Sequence, residues 1–271
     1  MIAIKKPDCQ RPGSACLLLL AMAFAVHFLV SGAAYAQSND GSASAESPDD
    51  IQPKVIEEMK RMAAFLRGLD QFRLTAHTVH DDVLAGDLKV EISSVATYLV
   101  RPPDRMRLDL ISDQQARIYY YNGSTVTQYS PALGFYSVFE AAPTILETIE
   151  LAAEKYDVRL PLADLFLWGT PQSNVDNLTI AYFVGETRIN GQTCNHFAFR
   201  ADDVDFQVWI AKRGDPLPCR LVLDATADPV RPHYAATLTW DIDPLIVDSL
   251  FSFAPPAGVT EIKQVEVAGG N

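Results

Sequence analysis

Cysteine, tryptophan and long apolar runs are scarce in this chain of 271 residues, which has four cysteines and three tryptophans. Beyond residue 36 no apolar run approaches the roughly 20 residues that a membrane-spanning helix needs, so stable membrane insertion is not expected. Positive charge is also thin, with 22 Lys and Arg against 34 Asp and Glu and a net charge of −12. An acidic surface repels nucleic acid and anionic membranes, which excludes both as direct partners. Catalytic signatures are missing too. There is no G-x-S-x-G, H-E-x-x-H, P-loop or C-x-x-C, so neither an enzyme nor a cofactor or metal site is expected.

The N-terminus carries Lys5, Lys6 and Arg11, then an apolar run from Ala15 to Val30, then Ala34-Tyr35-Ala36. A basic start, an apolar stretch too short to span and a small-x-small site describe a secretory signal peptide cleaved after Ala36. Position 37 is Gln rather than Cys, so lipid attachment there is not expected. Residues 37–50, QSNDGSASAESPDD, are small, polar and acidic and read as a disordered leader. The remaining stretch, 51–267, is expected to form one exported domain.

That domain opens with a helix. Pro53 suits its first turn, Asp49 or Asp50 can cap it, and Val55, Met59, Met62, Leu66 and Leu69 form one apolar stripe. From Gln71 the period changes to two. Phe72, Leu74 and Ala76 begin a strand that should end in a loop from Asp81-Asp82 to Gly86. Leu88 to Val100, Arg105 to Leu110, a hairpin turning at Asn122-Gly123, and Phe135 to Phe139 follow as strands. A helical insertion comes next, with a Thr144/Glu147 capping box and a second short helix opened by Pro161. Strands return at 178–189, in a three-strand meander from Thr193 to Leu223, at Ala235 to Ile242 and at Thr260 to Val267. The fold class is mainly β (α+β). A single curved antiparallel sheet of about 10–12 strands would form an unclosed barrel, covered by the N-terminal helix and the central helical pair.

Few residues look chemical. His77 and His80 stand three apart on a strand and so point to opposite faces, which argues against a metal pair. Asp202, Asp203 and Asp205 lack the glycine and distal glutamate of a calcium loop and read as a solvated turn. His196 and His233 have no motif around them. Cys194 and Cys219 lie on the first and third strands of the meander. Two strand spacings of roughly 4.8 Å exceed the roughly 7 Å limit for a bridge, so free or buried thiols are expected unless the strand order differs.

The amphipathic helix, RPPDRMRLD at 101–109, YNG at 121–123, PLADL at 161–165 and the run GQTCNHFAF…DFQVWI…GDPLPCRLVL together resemble the predicted periplasmic proteins of domain-of-unknown-function family 2092. The resemblance covers Ile51 to Val267, and its motifs are fold landmarks. It implies a fold similar to the LolA/LolB-type periplasmic lipoprotein carriers, an unclosed β-barrel whose helical lid shelters acyl chains. The function expected on that footing is binding of an apolar ligand, a lipid or a lipoprotein acyl chain. An apolar pocket lined by Met59, Met62, Leu66, Met106, Leu108, Tyr120, Val208, Ile210, Leu238 and Trp240 would hold it. The alternative is a filled barrel serving as an envelope protein-interaction or stress-sensing module, with an envelope protein as partner.

Overall fold

The structure is a computed structural model that describes residues 51–170, 173 and 177–267. The stretches read as signal peptide and leader, 1–36 and 37–50, lie outside the described residues. Helix α1 spans Pro53–Arg67, with the proline in its first turn and Gln52, not an aspartate, at the cap position without a side-chain bond. Its stripe buries Val55, Met59, Met62 and Ala63.

Twelve strands follow. The first six are β1 (Phe72–Val83), β2 (Lys89–Arg101), β3 (Arg105–Ser112), β4 (Ala116–Tyr121), β5 (Thr125–Ser130) and β6 (Phe135–Glu140). Helices α2 (Ile145–Tyr156) and α3 (Asp164–Leu167) interrupt the sheet. Then come β7 (Ile180–Ile189), β8 (Gln192–Ala201), β9 (Val204–Ala211), β10 (Pro218–Ala225), β11 (His233–Asp241) and the two-residue β12 (Thr260–Glu261). All twelve form one open sheet in the order β12-β6-β5-β4-β3-β2-β1-β11-β10-β9-β8-β7. Two meanders therefore meet in the middle, where β1 pairs with β11. The ladders are antiparallel except β12 against β6, which is parallel. β1 runs through Asp81 and Asp82 to Val83, because β2 pairs with it residue for residue to Lys89, so the expected loop starts later. The expected strand at Thr260 to Val267 is only the two residues of β12.

The register sorts the side chains onto two faces. Trp240, Leu74, Tyr98, Leu108 and Tyr119 stand directly opposite one another across five strands. One residue further, Asp241, Arg73, Leu99, Arg107 and Tyr120 form the matching row on the other face. The first row is apolar and lies beneath the helices; the second is largely charged. Period-two alternation makes this sorting all-or-none.

The connection from β6 to β7 carries α2 and α3 across the apolar face. Thr144 caps α2, accepting from the Glu147 N–H at 3.3 Å and donating to its carboxylate at 2.8 Å. The Ile145 N–H donates to Pro103 O at 2.8 Å, and the Tyr121 hydroxyl donates to Ala142 O at 2.8 Å. The Tyr98 hydroxyl donates to Pro161 O. Phe166 of α3 rests on Phe72 and Tyr98, with ring centroids 6.4 and 5.9 Å away. At the far edge, the Gln52 N–H donates to Ala181 O at 2.8 Å, which ties the start of α1 to β7.

Cys194 and Cys219 form a disulfide, contrary to the expectation of free thiols. The strand order is the one assumed, with β9 between β8 and β10, so a flat sheet would hold them apart. A register break between Pro218 and Arg220 leaves Cys219 as an extra residue in β10. Cys194 pairs with Ala211, the last residue of β9. A bulge at the end of a strand bends the ladder, and the two Cα atoms stand 6.8 Å apart. The bridge is buried with Trp209, Ala211, Val222 and Ala235 on the face away from the helices.

Candidate functional site

Of the residues expected to line a pocket, Met106, Leu108, Val208, Ile210 and Leu238 are buried on the helix-covered face. Trp240 shares that face, half-buried, and its indole N–H donates to Pro218 O at 2.8 Å. Met59 and Met62 are buried on α1, while Leu66 is half-buried. Tyr120 is a correction. It pairs with Arg107 on the opposite face, its ring 5.4 Å from Phe253 and 5.0 Å from the Arg107 guanidinium carbon. Its neighbours Tyr119 and Tyr121 point under the helices instead, as alternation requires. His77 and His80 fall on opposite faces of β1, as their spacing implies.

Side chains fill the space beneath the helices. Met62, Tyr98, Leu108 and Tyr121 are 0 % exposed. Within this apolar layer one polar cluster was not foreseen: Tyr98 on β2, Asp164 on α3 and Tyr234 on β11. Burial pushes the Tyr98 phenol well above its usual range, and the nearby Tyr234 adds to that. Asp164 is half-exposed by surface area, yet enough protein surrounds it that desolvation raises its carboxyl above the normal range. Burial also raises the Tyr234 phenol, with a further push from the Asp164 charge. The Tyr234 hydroxyl oxygen is sealed from solvent and has no hydrogen-bond partner, the only such buried side-chain atom among the described residues. In sequence, Tyr234 was hidden among ordinary strand aromatics, and the short helix bearing Asp164 offered only its apolar character.

Neutral phenols and a desolvated carboxyl among hydrocarbon offer hydrogen bonds to a ligand's polar end, with no base aligned on a nucleophile. No group of three or more metal-ligating side chains occurs among the described residues. His196 lies outside the layer, stacked on Trp209 at 3.9 Å and hydrogen-bonded to Gln207 at 2.9 Å. Burial there lowers its pKa, so it is a packing residue held neutral. A cleft of about 500 Å³ lies on the face away from the helices. A second, about 380 Å³, lies where β6 meets residues 263–266.

The profile of a family described as "Predicted periplasmic protein (DUF2092)" matches residues 56–265. No curated protein matches the chain. Among solved structures, it is similar to the Mycobacterium tuberculosis lipoprotein LppX at 14% identity and TM-score 0.43, covering 72% of this chain and 99% of that one. LprF from Mycobacterium bovis gives 10% identity and 0.41, with 77% and 99% covered. A LolA superfamily protein from Nitrosomonas europaea gives 9% and 0.38, with 75% and 98% covered. Likeness of this degree carries no function with it.

Proposed function

Because the chain belongs to the DUF2092 family of predicted periplasmic proteins, we propose that it is exported, cleaved after Ala36, and binds an apolar ligand through residues 51–267. The ligand, a lipid or a lipoprotein acyl chain, lies on the apolar sheet face and displaces the helical roof to reach it. The observation that carries this reading is the Tyr234 hydroxyl, sealed without a partner beside Asp164 of α3. Leaving a buried donor unmet costs about 1–3 kcal/mol. The closed roof therefore carries a penalty at one place, and lifting α3 removes it. The topology supports such a movement, since α2 and α3 sit on one connection and take no part in any ladder.

A second reading, a filled barrel that binds a protein, is favoured by the packed interior and by edge strand β7, where Phe183 and Val184 are exposed. Titration with the neutral fluorescent probe N-phenyl-1-naphthylamine separates the two. The wild type should bind it, and Met59→Asp with Met62→Asp should weaken binding at least tenfold while the sheet stays folded by circular dichroism. A wild type that takes up no probe, and no acyl species in mass spectra of protein from its own periplasm, would leave the interaction module as the better account.

A further inference from the structure

On the face away from the helices, the register lines up one row across seven strands: Ile111, Val95, His77, Thr237, Arg220, Trp209 and His196. We propose that the cleft over the first five of these is a second binding site, for a monocarboxylate with an apolar body. The cleft measures about 500 Å³, within the usual range for small-molecule sites. It lies across the sheet from the roofed face and is independent of the function proposed for it.

Arg220 is the anchor. It is half-buried, its guanidinium carbon 5.7 Å from the centre of the Trp209 ring, and its Nη1 donates to Thr237 Oγ1 at 3.2 Å. Among the described residues no carboxylate pairs with it. A guanidinium has five N–H donors in a planar fork that matches a carboxylate, and most of these remain to be used. The cation–π contact with Trp209 and the hydrogen bond to Thr237 already hold the guanidinium in place, so less freedom is lost on binding. Thr237 spends an acceptor lone pair on Arg220, which leaves its own hydroxyl hydrogen to donate into the cleft. His77 stands directly opposite Thr237 on the next strand. It is therefore two strand spacings, roughly 9.6 Å at the backbone, from Arg220, a gap wide enough to seat a carboxylate above the threonine.

The rest of the cleft sets the body of the ligand. Val79, Val95 and Ala235 supply hydrocarbon, and Ile111 is a largely exposed wall. At the other end stands Asp113, whose carboxylate accepts the Ser93 N–H at 3.2 Å. A second anionic group placed there would be repelled, so the site selects one charge and one apolar tail.

Calorimetric titration of the folded protein with octanoate, octanamide and the dicarboxylate suberate tests this. Octanoate should bind, and octanamide and suberate at least tenfold more weakly. Arg220→Gln should lose at least tenfold for octanoate alone, and Arg220→Lys should fall between. Arg220→Gln should leave N-phenyl-1-naphthylamine binding unchanged, which distinguishes this site from the roofed face. Should Arg220→Gln prove unstable to heat, Thr237→Val and the octanoate-to-octanamide ratio on the wild type decide. Equal binding of octanoate and octanamide, no octanoate binding, or octanoate binding unchanged by Arg220→Gln would overturn the proposal.

Discussion

At the scale of single residues, Tyr234 and Asp164 separate the proposed account from ordinary packing. Removing a buried hydroxyl that has no partner is neutral or stabilising, whereas removing one with a partner costs about 1 kcal/mol. Tyr234→Phe should thus leave the urea midpoint unchanged or raise it, while slowing probe uptake; a clear loss of stability would mean the hydroxyl is bonded. For Asp164 the folded pKa is raised by burial, so the folded state holds its proton to higher pH than the unfolded chain. Stability from this group is complete below the unfolded carboxyl pKa of about 3.9 and is lost as pH rises through the folded value. Asp164→Asn should remove that pH-dependent loss, so the variant gains on the wild type in urea melts as pH is raised from 4 to 7. Neither residue stood out in the sequence, because a tyrosine on a strand and an aspartate on a short helix are ordinary. What makes them unusual is that distant segments are brought together. Tyr120 was misplaced for a simpler reason: three successive tyrosines cannot all face one way on a strand.

Among the elements, those with strong local chemistry were the ones legible in sequence. The capping box at Thr144, the Asn122-Gly123 hairpin and the alternation that opens β3 appear as expected. The end of β1 and the disulfide did not, since each depends on what a neighbouring strand does. The aspartates at 81 and 82 stay in the ladder because Glu91 and Val90 pair with them. The bridge forms because β10 carries a bulge, which leaves no mark on the pattern of apolar residues. It encloses a sequence separation of 25, so replacing both cysteines by alanine should cost roughly 3 kcal/mol, read as a lower denaturant midpoint. An unchanged midpoint would show that the buried cluster around Trp209 holds the β8–β10 corner alone.

At the scale of the molecule, the described residues form two meanders joined at β1 and β11, with the link between them folded back as a roof. The sequence pattern indicated the open sheet and its cover by the N-terminal helix and the central helical pair. Among the described residues, α1 is stitched to β7 at its start, whereas α3 rests on Phe72 and Tyr98 at the middle of the sheet. No helix among the described residues is long and apolar enough to cross a membrane. The central claim is that α3 must lift for a ligand to enter. Phe72→Cys with Phe166→Cys, bridged by a short bis-methanethiosulfonate linker that dithiothreitol cleaves, ties the roof to β1 across the site where the two rings now lie 6.4 Å apart. The linked double variant should bind N-phenyl-1-naphthylamine at least tenfold more weakly than the same protein after dithiothreitol, with the wild type in dithiothreitol as control for its native bridge. If the locked protein binds the probe as tightly as the reduced one, the roof does not gate the site and the account is wrong.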